Sequence, residues 1–199
     1  IIGGGSRPKK LGVPGEEKLQ GKGVFNCAFC DGGQFADRVV AVCGGGDAGV
    51  TEAIYMTRLA SKVVLIEVMP ALTANAVLQE RALANPKLEI RTGVKVEAIV
   101  GENQVEAVEL VDAGGQRGIL AVDGLLVHIG LEPSTGYLKG IVPLDSHGGI
   151  IVNDRMETKV PYVLAAGDIR SGSAGQIITA AGDGATAAQT AERLLQKLA

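Results

Sequence analysis

In two short runs, Val39–Cys43 and Lys62–Glu67, nearly every residue is apolar and many are β-branched, the pattern of strands buried on both faces in a parallel sheet. Between them Val50, Ala53, Ile54 and Thr57 recur at helical spacing, so the order reads strand, helix, strand. A second helix is predicted over 75–84, with Val77, Leu78, Ala82 and Leu83 facing inward and Asn85 and Pro86 as its stop. Segments 88–91, 95–100, 105–112 and 117–122 alternate in the manner of strands, with a turn at Gly114 and Gly115, and 123–130 is a further apolar strand ending in glycine. The flanks read differently. Residues 1–8 look like the end of a strand, 11–15 a linker running into the polar stretch 16–23, and 132–135 a second linker. Residues 160–168 read as a strand entering Gly167 and Asp168. A long helix follows over 176–197, where Ala180, Ala181, Gly184, Ala185 and Ala188 keep one face thin enough for close packing on a sheet or a cofactor.

The first strand runs straight into Gly44, Gly45 and Gly46. With Gly49 they form a G-x-G-x-x-G turn between strand and helix, enclosing Asp47 and Ala48. A pyrophosphate can rest against a helix N-terminus only where the turn is tight and no Cβ screens the backbone N–H groups, and three glycines meet that need. The second strand ends in Glu67, about 20 residues on, where a carboxylate can accept hydrogen bonds from an adenosine ribose. That acid favours NADH. A 2′-phosphate would meet a like charge, and residues 68–74 contain no Arg or Lys to receive it. The triple glycine at Gly3, Gly4 and Gly5 is not a second such turn, because no helical periodicity follows it.

Composition narrows the class. With 199 residues, 46% hydrophobic, the chain can build one or two domains with real cores. A net charge of −3 gives no basic footprint for nucleic acid, no helix carries a basic stripe for a membrane surface, and no apolar run reaches the length of a span. No leader opens the chain, so the cytoplasm is the expected compartment. Three cysteines are too few for a disulfide scaffold, and Cys27-Ala-Phe-Cys30 points instead to redox chemistry. Asp31 directly after the pair could relay a proton to a departing thiolate. The competing reading is half of a zinc site, with Cys43, His128 and His147 as the remaining ligands. Redox chemistry is preferred and no metal is expected, because Cys43 closes a buried strand as a small core residue; His128 could serve as an acid or base, but inside an apolar strand it reads as a packed structural residue.

The order of Cys27-Ala-Phe-Cys30, Asp31, the Gly44–Gly49 turn, Ile129-Gly130, Ala165-Ala-Gly167-Asp168 and Gln176-Ile177 with its small-residue helix closely resembles the low-molecular-weight thioredoxin reductase family over nearly the whole chain. Within that family, Val64 to Glu67 and Ala76 to Gln79 resemble the flavoprotein subunit of alkyl hydroperoxide reductase, which prefers NADH. Typical thioredoxin reductases have His-Arg-Arg where this chain has Ile66-Glu67-Val68. The resemblance implies an α/β fold in which a Rossmann-like nucleotide-binding domain is inserted into a second, here incomplete, FAD-binding α/β domain. The division expected is 1–12 for the end of the first FAD-domain segment and linker, 13–130 for the NAD(H)-binding domain, and 131–199 for the C-terminal FAD-domain segment. It further implies Cys30 as the flavin-proximal sulfur, Cys27 as the sulfur that attacks the partner and Asp31 as proton donor. Asp168, after Gly167, would bind the ribityl chain, Gln176 and Ile177 would lie near the flavin ring, and Ile129 and Gly130 would be cofactor-binding. The implied partner is a thioredoxin-like protein or a peroxiredoxin-system disulfide, the implied assembly a homodimer, and FAD is expected to be held by a longer parent, leaving this chain alone inactive. The alternative is a stand-alone NADH-binding regulatory module with a redox-sensing cysteine pair.

Overall fold

A computed structural model describes residues 1–197 and divides the chain into two compact units, one of residues 8–130, the other of 1–7 with 131 onward. The larger unit is built on a parallel sheet of five strands. In chain order these are β2 (Val24–Phe25), β3 (Val39–Cys43), β4 (Lys62–Glu67), β5 (Leu88–Thr92) and β9 (Gly124–Val127), and their spatial order is β2-β9-β3-β4-β5. The apolar runs are continuous because both faces of the sheet are covered. Val40, Val42, Val63, Leu65 and Leu126 pack on one side with α2 (Ala28–Asp31), α3 (Asp47–Met56) and α4 (Ala76–Leu83). Ala41, Cys43, Val64, Ile66, Leu125 and Val127 pack on the other, against α1 (Glu16–Leu19) and an antiparallel sheet of β6 (Val94–Val100), β7 (Ala107–Asp112) and β8 (Arg117–Ala121).

Several expectations are corrected. The stretch 16–23, read as polar, carries core residues: Leu19 is fully buried, and the buried Glu16 carboxylate accepts the N–H groups of Leu11 and Gly12. Tertiary hydrogen bonds placed a charged residue inside, which a polarity pattern cannot register. On α4, capped by the Asn75 side chain, Ala82 is buried but Val77 and Leu83 are 60% and 74% exposed, since the short helix covers the sheet with one narrow stripe. Of the alternating segments, 88–91 forms the edge of the parallel sheet and the other three the antiparallel one.

The smaller unit has little regular structure. β1 (Ser6–Pro8) pairs with β10 (Leu131–Pro133), so the second predicted linker is a short strand. Residues 160–168 do not form the predicted strand: Leu164 and Ala165 make isolated bridges to Glu157 and Ile2, and Tyr162 adopts φ +64. A ladder needs consecutive partners, and Ile2 is followed at once by three glycines. α5 (Ile177–Gln196) matches the predicted helix. Its buried stripe is Asp183, Ala187 and Thr190, whereas Ala181, Ala185 and Ala188 are exposed and Ala180 and Gly184 half-buried.

Candidate functional site

All five strands of the larger sheet run parallel, so their C-terminal ends meet along one edge. Chain order reverses between β3 and β9, the position where an open α/β sheet leaves a crevice for ligand. The glycine turn sits there. Gly44 has φ +121, and a Cβ on it would lie 2.1 Å from the His128 carbonyl oxygen. A Cβ on Gly49 would lie 2.1 Å from the Gly44 oxygen, so this glycine lets α3 close onto the turn. Gly46 is different: its φ is −82 and an added Cβ would meet only the Thr73 hydroxyl, at 3.7 Å. The fold demands the first and third glycines and is indifferent to the second.

Glu67 ends β4 facing that turn, buried, with Oε2 accepting the Gly45 N–H and Oε1 the Met69 N–H at 2.8 Å. It lines a cavity of about 240 Å³ with Gly44, Ile66, Val68, Lys95 and Ile129. Gly130 follows at φ +104, its carbonyl accepting the Lys9 N–H. Asp47 and Ala48 open α3 exposed, and the Asp47 carboxylate accepts the backbone N–H and side-chain amide of Asn75, which ties α3 to the cap of α4. Lys95, brought in from β6, is the residue that sequence reasoning missed, because nothing in the spacing joins it to a turn 50 positions earlier.

The cysteine pair follows β2 on the same edge. Cys27 and Cys30 are joined by a disulfide with Cα atoms 5.3 Å apart, and among the described residues no His/Cys/Asp/Glu cluster has the make-up of a metal site. Cys27 caps α2, its sulfur accepting the Cys30 N–H at 3.2 Å; Cys27 is half-buried and Cys30 exposed. Phe29, between them and 60% exposed, packs against Tyr55 of α3 with centroids 4.3 Å apart. Asp31 and both cysteines line a groove of about 310 Å³ with Gln20, Asn26 and Gln34. Cys43 is buried at the end of β3 with its thiol pushed up to about 12, first by desolvation and then by the charges of Glu16 and Glu67. Beneath the pair lie two further polar groups. Glu52 of α3, buried, accepts the Ala28 N–H at 3.1 Å, and His128 Nδ1 stands 3.4 Å from the same carboxylate oxygen. The signal for Glu52 was present, since Gly49, Glu52, Ala53 and Met56 form the inward stripe of α3 with an acid in it.

In the smaller unit Gly167, at φ +79, leads into Asp168, whose carboxylate accepts the Ser173 hydroxyl at 2.8 Å. Asp168 lines a cavity of about 160 Å³ with Ser6, Arg170, Ser171, Ser173 and Gly175. A part-buried ion pair braces this loop against α5: the Arg170 guanidinium donates from Nε at 2.5 Å and Nη2 at 2.9 Å to Asp183, which also accepts the Gly167 N–H. The guanidinium holds the Asp183 carboxyl below its ordinary value, and Asp183 in turn raises Arg170. Gln176 precedes α5 as its N-cap, and Ile177 is 91% exposed.

A family model described as pyridine nucleotide-disulphide oxidoreductase matches residues 1–184. The chain belongs to that family. Among its relatives, the thioredoxin reductase of Bacillus subtilis is 42% identical over 200 aligned positions, covering all of this chain and 63% of the relative. An alkyl hydroperoxide reductase subunit of Staphylococcus aureus strain MRSA252 is 41% identical over 192, covering 96% of this chain and 38% of the relative. The crystal structure of thioredoxin reductase from Streptococcus pyogenes MGAS5005 superposes with a TM-score of 0.83 at 40% identity, covering 99% of this chain and 65% of that one. This pyridine nucleotide-disulphide oxidoreductase chain therefore spans less than two thirds of the length of these relatives, and it shares their Rossmann-like α/β fold. No helix among its described residues is long and apolar enough to cross a membrane.

Proposed function

We propose that the protein is a flavin-dependent disulfide reductase that passes electrons from NADH, in preference to NADPH, through FAD to Cys27–Cys30 and on to a disulfide of a thioredoxin-like protein or a peroxiredoxin system. The observation that carries this reading is the shared sheet edge: the glycine turn after β3, Glu67 after β4 and the disulfide after β2 are held by one rigid parallel sheet. Gly46 supports it. Nothing in the packing needs a glycine there, so its lack of a side chain serves the approach of a pyrophosphate to the start of α3. Glu67 supports the choice of NADH, because its fixed, buried carboxylate accepts ribose hydroxyls and opposes a 2′-phosphate, with Lys95 the cation that partly offsets it on the same cavity wall.

The smaller unit fits part of a flavin. Asp168, with the hydroxyls of Ser6, Ser171 and Ser173, offers acceptors and donors suited to a polyol chain, and a cavity of about 160 Å³ takes such a segment rather than a whole dinucleotide. Gly167, Asp168, Gln176 and Ile177 are the residues that would hold it. FAD supplies, when bound, a two-electron acceptor for hydride that also reduces a disulfide. The chain's own residues do the rest. Once the Cys27–Cys30 bond has taken up two electrons, the Cys27 thiolate attacks the partner disulfide, forming a mixed disulfide and releasing one partner thiolate, which Asp31 protonates. The Cys30 thiolate then attacks Cys27 Sγ, expels the second partner thiolate and restores the Cys27–Cys30 bond. Cys30 is the more exposed sulfur in the oxidised unit, so the division of roles is itself open to test: Cys30→Ser should trap a partner on Cys27, and Cys27→Ser should not.

The decisive experiment adds FAD and then NADH or NADPH to the protein at the length of its relatives and follows bleaching of the yellow flavin and reduction of a thioredoxin disulfide. NADH is expected to act roughly tenfold faster than NADPH at equal concentration, and Cys30→Ser to abolish partner reduction while bleaching persists. NADH binding without flavin uptake would leave a nucleotide-binding module and overturn the reductase.

A further inference from the structure

The cysteine helix rests on an acid that the exchange chemistry above does not use. Glu52 is buried on α3, and its Oε2 accepts the N–H of Ala28, the residue between Cys27 and Phe29. The same oxygen stands 3.4 Å from His128 Nδ1, which is itself buried and makes no hydrogen bond among the described residues. Two bonds fix His128 relative to the pair: its N–H donates to the Cys43 carbonyl, and the Asn26 side-chain amide donates to the carbonyl of Val127 just before it. A buried carboxylate beside a reducible disulfide matters because reduction makes negative charge. The S–S bond breaks, two electrons and one proton enter, and a thiol and a thiolate result. A fixed anion nearby opposes the thiolate, and a cation nearby favours it.

We propose that Glu52 and His128 are positioning residues that set the reducibility of Cys27–Cys30: the carboxylate holds the cysteine helix and opposes thiolate, and the imidazole, when protonated, cancels that opposition. This rests on the redox reading of the cysteine pair but on neither cofactor. The other titratable or charged groups on the segments bonded to the dyad are Asp31 of α2, Asp47 and Tyr55 of α3, Cys43 at the end of β3 and Lys9, whose N–H donates to Gly130. Cys43, held near 12, stays neutral through the range that matters. None of Asp31, Asp47, Tyr55 and Lys9 is hydrogen-bonded to the Glu52 or His128 side chain among the described residues. Imidazole gains a positive charge as pH falls, so the cancellation belongs to the acid end of the range.

The test uses the 199-residue chain, reduced with dithiothreitol, whose two thiols give up two electrons and two protons and close to a cyclic disulfide. Alkylation of Cys27 and Cys30 by iodoacetamide is followed by mass spectrometry from pH 5.5 to 9, and the fraction reduced is read in dithiothreitol buffers. Glu52→Gln keeps an oxygen for the Ala28 N–H and removes the charge. It should speed alkylation at pH 7 roughly threefold, the net of about tenfold more thiolate and its lower intrinsic nucleophilicity, and raise the fraction reduced. His128→Gln should act oppositely, slowing alkylation roughly threefold at the acid end of that range and losing its effect toward the alkaline end. A merely structural role would move both variants the same way at every pH. The proposal is overturned if His128→Gln follows the parent profile throughout, or if Glu52→Gln with its Ala28 amide still protected from exchange alkylates no faster. Because neither flavin nor nicotinamide is present, its failure leaves the reductase reading untouched, and failure of flavin uptake leaves this one standing.

Discussion

One methyl group, placed at two glycines three residues apart, separates what the turn needs for folding from what it needs for binding. At Gly49 a Cβ would sit 2.1 Å from the Gly44 oxygen and 2.9 Å from its carbonyl carbon, both backbone atoms, so α3 must lift off the turn. Overpacking of this kind lowers stability by about 1–3 kcal/mol, and more where backbone must yield, so Gly49→Ala should fall at or above the upper end. At Gly46 the nearest atom to an added Cβ is 3.7 Å away, an ordinary contact, and φ −82 suits any residue. Gly46→Ala should therefore hold stability within about 0.5 kcal/mol. Its methyl would nevertheless stand where a pyrophosphate meets the first N–H groups of α3, and loss of one or two charge-assisted hydrogen bonds at about 1.5–3 kcal/mol each weakens NADH binding by more than roughly tenfold. Urea melts give the first quantity and isothermal titration with NADH the second. The reasoning fails if Gly46→Ala binds NADH like the parent, or if Gly49→Ala melts like it.

Three further outcomes are expected. Arg170→Ala strips the Asp183 carboxylate of its guanidinium, which should destabilise the smaller unit by about 1–3 kcal/mol near neutral pH, read by hydrogen exchange along α5. Because Arg170 lowers the folded Asp183 value, the pair's stabilisation is complete above the unfolded Asp value of about 3.9 and is lost as pH falls through the lower folded one; the gap between variant and parent should close in acid, and a constant gap would refute the assignment. Glu67→Gln cannot accept from both the Gly45 and Met69 N–H groups through one amide oxygen, so it should lower stability by about 1–3 kcal/mol and bring NADH and NADPH affinities closer together, as titration of each would show. Cys43, with its thiol near 12, should resist an aromatic disulfide reagent in the folded oxidised chain and release one equivalent of chromophore in urea; reaction in the native state would place it at the surface.

The amino-acid sequence by itself determined the parallel strands, the G-x-G-x-x-G turn and the cysteine pair. Each is a local device: strand burial shows as an unbroken apolar run, a tight turn as glycine, a small disulfide ring as two cysteines three apart. The acid at the end of β4 was legible for the same reason, since its distance from the turn is fixed by one helix and one strand. Tertiary structure alone decided the rest. Glu16 opens a stretch read as polar and is buried, because the N–H groups that donate to its carboxylate belong to Leu11 and Gly12, held in place by the fold. Residues 160–168 carry a strand's composition but not its ladder, since pairing depends on what lies alongside. Lys95 reaches the cavity wall of Glu67, and His128 the carboxylate of Glu52, across 28 and 76 positions of chain. Those meetings follow from sheet order, and sheet order is settled by packing on both faces at once, which no spacing along a single chain can record.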